Sequence, residues 1–249
     1  MHNDFQAILH NERKQILNLM RSTQFTRLTN DLIHQQIIPF ASYAPWETDE
    51  GFKQVFNDIT GHTLIDKYRC YELWELAKQA APLKGDVIEV GVWKGGTGSV
   101  IAKGSEGNSD STVFLCDTFE GVVKVGDNDT IYKGGEHADT SEEIVNELLK
   151  KINAKNVTIL NGIFPDDFMK EMDGKSFKFC HIDVDTYGSA KDIFDFVWPR
   201  MVAGGVVIFD DFGFWGCEGV TKLVNEIHVP GGFKVYNLNG HGLIIKYAV

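Results

Sequence analysis

Four acids stand in two tight pairs, Asp183 with Asp185 in HIDVDTYG and Asp210 with Asp211 in IFDDFG. Each pair follows a run of apolar, strand-forming residues, which places it at the carboxyl end of an expected strand. If the two strands are neighbours, three or four carboxylates share one small volume. Two like charges about 4 Å apart repel by roughly 4 kcal/mol even at an effective dielectric near 20. Such a group must therefore be protonated, solvated apart or neutralised by a cation. Oxygen ligands with no Cys or His among them favour Mg2+ or a similarly hard ion. Helix caps and solvated turn acids would account easily for one such pair, less easily for two.

Two further segments carry chemistry. In EVGVWKGG, at 89–96, Glu89 precedes Gly91, Gly95 and Gly96, glycines that let the backbone turn tightly and approach a ligand before a helix begins. The spacing is not that of the GxGxxG dinucleotide fingerprint, and a tight strand–helix connection would use the same residues. In LCDTFEG, Asp117 ends the next expected strand, where an acid can accept hydrogen bonds from a ribose hydroxyl pair. A glycine turn followed by such an acid argues for a nucleoside ligand, and the missing phosphate-type spacing argues against a pyrophosphate. S-adenosylmethionine satisfies both conditions, and its cationic sulfonium suits an acidic cleft.

Regular elements must position these residues. Short apolar runs at 86–92, 112–118, 157–162, 177–185 and 205–211 alternate with helix-forming segments near 95–104, 141–152, 165–172, 188–201 and 218–228. That alternation predicts an α/β fold with β-α units on a parallel sheet. Thr140-Ser141-Glu142-Glu143 is a capping-box pattern. GFKVYNLN and HGLIIKY meet around Asn239-Gly240, a hairpin signal that ends the sheet antiparallel. Upstream, Thr63 with Asp66 resembles the start of a helix that stops before Pro82, and 41–62 reads as a loop with one short helix. Apolar spacing from Phe5 to Ile37 predicts a helical appendage, giving domains 1–62 and 63–249. The segment 119–139 is long and aperiodic, as a lid over the cleft would be. His181 reads as a core residue and His137 as an exposed loop residue. Trp93, Tyr187, Phe212 and Trp215 suit either a pocket wall or packing.

Composition narrows the classes. With 249 residues, 43% hydrophobic and 24% charged, the chain is of ordinary globular type. Its net charge of -11 has the wrong sign for holding nucleic acid or an anionic membrane. Four dispersed cysteines read as core thiols, and no apolar run approaches the roughly 20 residues of a membrane span. The expectation is a soluble cytoplasmic protein with no membrane insertion.

EVGVWKGG, CDTFEG, HIDVDTYGSA and GGVVIFDDFG, in that order, resemble the macrocin O-methyltransferase family, the TylF/MycF-like sugar methyltransferases, over about residues 63–228. The resemblance implies a Rossmann-like class I methyltransferase sheet, mostly parallel, with seven strands and an antiparallel carboxy-terminal hairpin. It implies S-adenosylmethionine and Mg2+ as cofactors and a small-molecule or glycoside acceptor whose sugar hydroxyl is methylated. It places Glu89, Gly91, Gly95, Asp117, Gly162, Phe164 and Asp183 along the cofactor. It makes Asp183, Asp210 and Asp211 the metal ligands and Asp185 the general base. A catechol-type acceptor is the nearest alternative. An NAD-dependent oxidoreductase lacks its glycine fingerprint, and a non-catalytic module is opposed by the intact acid cluster. The first sixty residues match nothing recognisable and suit acceptor selection or self-association.

Overall fold

The computed structural model describes residues 2–22, 26–29, 32–35, 41–107, 110–237 and 240–248. The chain divides into two compact units, 1–44 and 45–249. The expected boundary at 62/63 therefore falls inside the larger unit, because the segment after residue 44 packs as part of it. In the smaller unit, helix α1 (His2–Ser22) is followed by strands β1 (Thr26–Thr29) and β2 (Leu32–Gln35). These two pair antiparallel, with Thr26 opposite Gln35 and Thr29 opposite Leu32. A helix was expected to run through Leu28, Leu32 and Ile33. The β-branched Thr26, Thr29 and Ile33 favour a pleated ribbon instead. Ile37 lies outside the described residues.

In the larger unit, α2 (Glu50–Asp58) and α3 (Lys67–Ala80) precede the sheet. Asp66 caps α3, accepting from the Tyr68 and Arg69 amides, whereas Thr63 only closes a local turn onto the Ile65 amide. The sheet then follows as β3 (Asp86–Val90), α4 (Gly96–Gly104), β4 (Val113–Asp117), α5 (Glu142–Lys151), β5 (Val157–Asn161), β6 (Phe177–Ile182), α6 (Tyr187–Val197), β7 (Met201–Phe209), α7 (Glu218–Glu226), β8 (Gly232–Val235) and β9 (Gly242–Lys246). Ser141 caps α5, as its sequence predicted. The helix expected at 165–172 is only a single tight turn, Asp166–Phe168.

The seven strands lie in the order β5-β4-β3-β6-β7-β9-β8. The first five are parallel, and β9 and β8 run antiparallel to close the edge. Leu238 and Asn239, half of the expected hairpin turn, fall outside the described residues. Alternating strand residues face two cores: Val87, Leu115 and Ile208 meet α2 to α5, while Ile88, Cys116 and Val207 meet α6 and α7. All four cysteines are buried free thiols. No helix among the described residues is long and apolar enough to cross a membrane.

One buried charge holds the base of the sheet. Lys178 on β6 is fully buried, and its Nζ donates to the Ala81 carbonyl (2.9 Å), the Leu83 carbonyl (3.4 Å) and Ser111 Oγ (2.9 Å). It thereby ties the end of α3 to the strands. Lys178→Met would strand these acceptors and is expected to cost about 1 to 3 kcal/mol. Urea unfolding would measure this, and an unchanged midpoint would contradict it.

Candidate active site

The connection after β5 carries the chain across to the far side of β3, so the sheet order switches between β3 and β6. Ligand clefts form beyond the carboxyl ends of strands at such a switch. A cavity of about 310 Å³ lies there, walled by residues following β3, β4, β5, β6 and β7. The parallel ladder extends past each strand end: Asp183 N donates to the Val90 carbonyl and Asp210 N to the Ile182 carbonyl, both at 2.9 Å. Those two rungs set the acids side by side.

Gly91 makes the approach possible. Its φ is +89°, and a Cβ there would fall 1.7 Å from the Asp183 carbonyl oxygen, so no other residue fits between the ends of β3 and β6. Gly95 caps α4 with φ +86° and faces Val145 of α5 rather than the cavity. Asp117 lines the cavity, with most of its acceptor capacity already taken up by the backbone. Its Oδ2 accepts from the Val92 and Trp93 amides at 2.6 and 2.8 Å, and its Oδ1 accepts from Phe119 N at 2.7 Å. A carboxylate offers about four acceptor positions, so the acid that secures the glycine turn retains one for a ligand. Glu89 lies beneath the turn, fully buried, with Oε1 2.9 Å from His181 Nδ1. Burial pushes its carboxyl above the usual range, His181 opposing, and it takes no part in the wall. Gly162 donates its amide to the Asp117 carbonyl, and Phe164 packs edge-on against Phe196 at the cavity.

The acids converge. One carboxylate oxygen from each of Asp183, Asp210 and Asp211 lies within 4.8 Å of the others. Burial, then the neighbouring acids, pushes Asp183 and Asp211 well above the usual carboxylate range. Asp210 goes the other way. Burial disfavours its charge, but His241 and Arg69 outweigh burial and pull it down to about 2. Asp185 and Asp211 hold left-handed backbone conformations, with φ of +61° and +60°, which non-glycine residues adopt mostly where the surroundings enforce them.

The segment 119–139, expected as a lid, is a wall tied to α6, to the start of α7 and to the turn after β5. Thr186 Oγ1 donates to the Val123 carbonyl and Tyr187 N to Asp129 Oδ1, while Lys124 pairs with Asp166 and Asp192. Thr130 donates to Glu218 and to the Gly216 carbonyl. Those anchors place Tyr132, whose phenol donates to Asp185 Oδ1 at 2.5 Å. His137 also reaches the cavity, whereas Tyr187 turns away to Glu226. Of the aromatic residues after β7, Phe214 rather than Phe212 or Trp215 lines the cavity, and Trp93 lines it beside the glycine turn. Sequence reasoning missed Tyr132, His241 and Arg69. Arg69 left a trace, since it shares the i, i+4 stripe of Leu73 and Ala77 on α3, where a charge is out of place.

A glycine turn, an acid-rich strand end and this strand order define a class I methyltransferase. Residues 12–229 match the macrocin-O-methyltransferase (TylF) family, and the chain belongs to that family of O-methyltransferases. It is 29% identical over 183 residues to mycinamicin III 3''-O-methyltransferase of Micromonospora griseorubida, covering 67% of this chain and 71% of that protein. It is 26% identical over 196 residues to 8-demethyl-8-(2,3-dimethoxy-alpha-L-rhamnosyl)-tetracenomycin-C 4'-O-methyltransferase of Streptomyces olivaceus, covering 69% and 74%. Among solved structures it is similar to the O-methyltransferase NovP, with a TM-score of 0.65 at 22% identity over 75% of this chain and 83% of that one.

A carboxyl whose folded pKa is raised binds its proton more tightly in the fold, so it withdraws stability as pH climbs above the unfolded value near 4. Asp211→Asn is therefore expected to stabilise the metal-free protein by about 1 kcal/mol or more at pH 8, with the gain shrinking towards pH 4. Denaturant midpoints in EDTA at several pH values would show this. A gain that grows on acidification would contradict it.

Proposed function

We propose that the chain transfers the methyl group of S-adenosylmethionine to a sugar hydroxyl of a glycosylated small molecule, assisted by Mg2+ or a similarly hard divalent cation. The observation that carries this reading is the meeting of the Asp183, Asp210 and Asp211 carboxylates within 4.8 Å, in the same cavity as Asp185 and the Gly91 turn. The sugar is supported by the relative whose name specifies 4'-O-methylation of a rhamnosyl-tetracenomycin, and the 3''-O-methyltransferase of mycinamicin III accords with it. The donor set fits a hard cation, because it is all oxygen and because a cation would offset both the desolvation and the mutual repulsion that hold Asp183 and Asp211 towards the neutral form.

Gly91, Asp117, Gly162 and Phe164 would hold the methyl donor, and Asp183, Asp210 and Asp211 the cation. When bound, these groups supply an electrophilic methyl and stabilise negative charge developing on the acceptor oxygen. The chain's own residues do the rest. Asp185 takes the hydroxyl proton, on a carboxylate that Tyr132 fixes through Oδ1. Segment 119–139 keeps water away, and Tyr132, His137 and Phe214 border the space where a sugar ring would lie.

The test is transfer of labelled methyl from S-adenosylmethionine to methyl rhamnoside, TDP-rhamnose, a desmethyl macrolide glycoside and catechol. Turnover of a sugar acceptor is expected, lost in EDTA and restored by Mg2+. Turnover of catechol alone would overturn the sugar assignment, and indifference to EDTA the cation. Asp185→Asn is expected to lower kcat by about 10²- to 10⁴-fold while affinity for S-adenosylhomocysteine holds. Full activity in that variant would remove Asp185 as the base.

A further inference from the structure

The acid cluster already contains a cation. Arg69 enters from α3 and is buried, and its Nη1 donates to both oxygens of Asp210 at 2.7 and 2.8 Å, lying 3.8 Å from Asp211 Oδ1 as well. The guanidinium is clamped. Nε donates to Asp66 Oδ2 at 2.8 Å, the same carboxylate that caps α3 through its other oxygen. Its face lies 4.4 Å from the centre of the Phe214 ring. That ring can lie there because residue 240 is glycine, where a Cβ would come within 2.3 Å of Phe214 Cε2. On the far side of Asp210, His241 Nε2 stands 3.1 Å from Oδ1, and its Nδ1 is held by Glu72 at 2.6 Å.

We propose that Arg69 is a resident counter-cation that competes electrostatically with the divalent cation at Asp210, keeping the acid cluster assembled without metal and holding metal affinity low enough for ready exchange. The inference rests on the divalent-cation reading above. The guanidinium need not leave for metal to enter, since a carboxylate has about four acceptor positions. An ion shared by three oxygens within 4.8 Å of one another must nevertheless sit a few ångströms from Arg69. The repulsion between a double and a single positive charge is poorly screened at a buried site. That repulsion is twice the repulsion between unit charges at the same separation, and it opposes metal entry even though Arg69 also orders one of the ligands.

Calorimetric titration with MnCl2 alone, on the full chain, tests this. Arg69→Gln is expected to bind Mn2+ at least about tenfold more tightly than wild type. Arg69→Lys, which keeps the positive charge though not the paired hydrogen bonds or the ring contact of the guanidinium, should stay within about threefold. Arg69→Met replaces Gln should the Gln variant not fold, and carries the same expectation. S-adenosylhomocysteine binding reports that each variant keeps its cavity. Unchanged or weaker Mn2+ binding by the neutral variants would overturn the proposal and leave Arg69 as an ordering residue only, and equal tightening by Arg69→Lys would overturn charge as the cause. Mn2+ binding by a neutral variant but not by wild type would support the proposal. Binding by neither would overturn it together with the divalent-cation reading, whereas binding by wild type without tightening would overturn the Arg69 proposal alone.

Discussion

Carboxylates crowded at neighbouring strand ends, one buried and two half-buried, cannot all be charged without help, and the larger unit is arranged around that constraint. The ladder that sets Asp183 beside Val90 and Asp210 beside Ile182 creates the crowding. The surroundings then divide the three acids. Asp210 is kept ionised by Arg69 and His241, while Asp183 and Asp211 are pushed towards the neutral form. This is an expensive arrangement for a fold to keep, since buried acids favour neither packing nor stability. Strained backbone at Asp185 and Asp211 adds to the cost. Expense concentrated at one cavity, beyond the strand ends where ligands bind in such sheets, is what a chemical site looks like.

The rest of the architecture serves proximity. Gly91 lets two strand ends approach to a distance that a methyl group would prevent, and Asp117 holds the turn that follows it with three backbone hydrogen bonds. Segment 119–139 is anchored through Asp129 and Thr130, and so delivers Tyr132 to Asp185 at a fixed place. Far below, Lys178 ties the end of α3 to the sheet. Because α3 also carries Arg69, the helix that closes the bottom of the fold reaches the chemistry at the top.

Much of this was legible in the chain itself, for a physical reason. Strand-end acids and glycine turns are local features, and alternation of apolar runs with helical segments fixes a parallel sheet whose ends must meet. The positions of Asp183, Asp185, Asp210, Asp211 and Gly91 at one cavity followed from that. What escaped was whatever depended on contacts distant in the sequence. Arg69 is 141 residues from Asp210 and Tyr132 is 53 from Asp185, and no spacing rule links them. Asp117 and Glu89 were found as acids, but their hydrogen-bond partners decide whether they face a ligand or the backbone. In the smaller unit, apolar spacing suggested helix where β-branched residues make a ribbon, the usual ambiguity of short apolar runs.

Whether the cavity beyond β3 and β6 takes the methyl donor of a class I methyltransferase is decided by binding alone. Calorimetric titration of the folded chain with S-adenosylhomocysteine, with NAD as the comparison, reads it without any acceptor. Saturable one-to-one binding of S-adenosylhomocysteine is expected, and none of NAD. Binding of NAD in its place, or of neither by folded protein, would contradict that assignment.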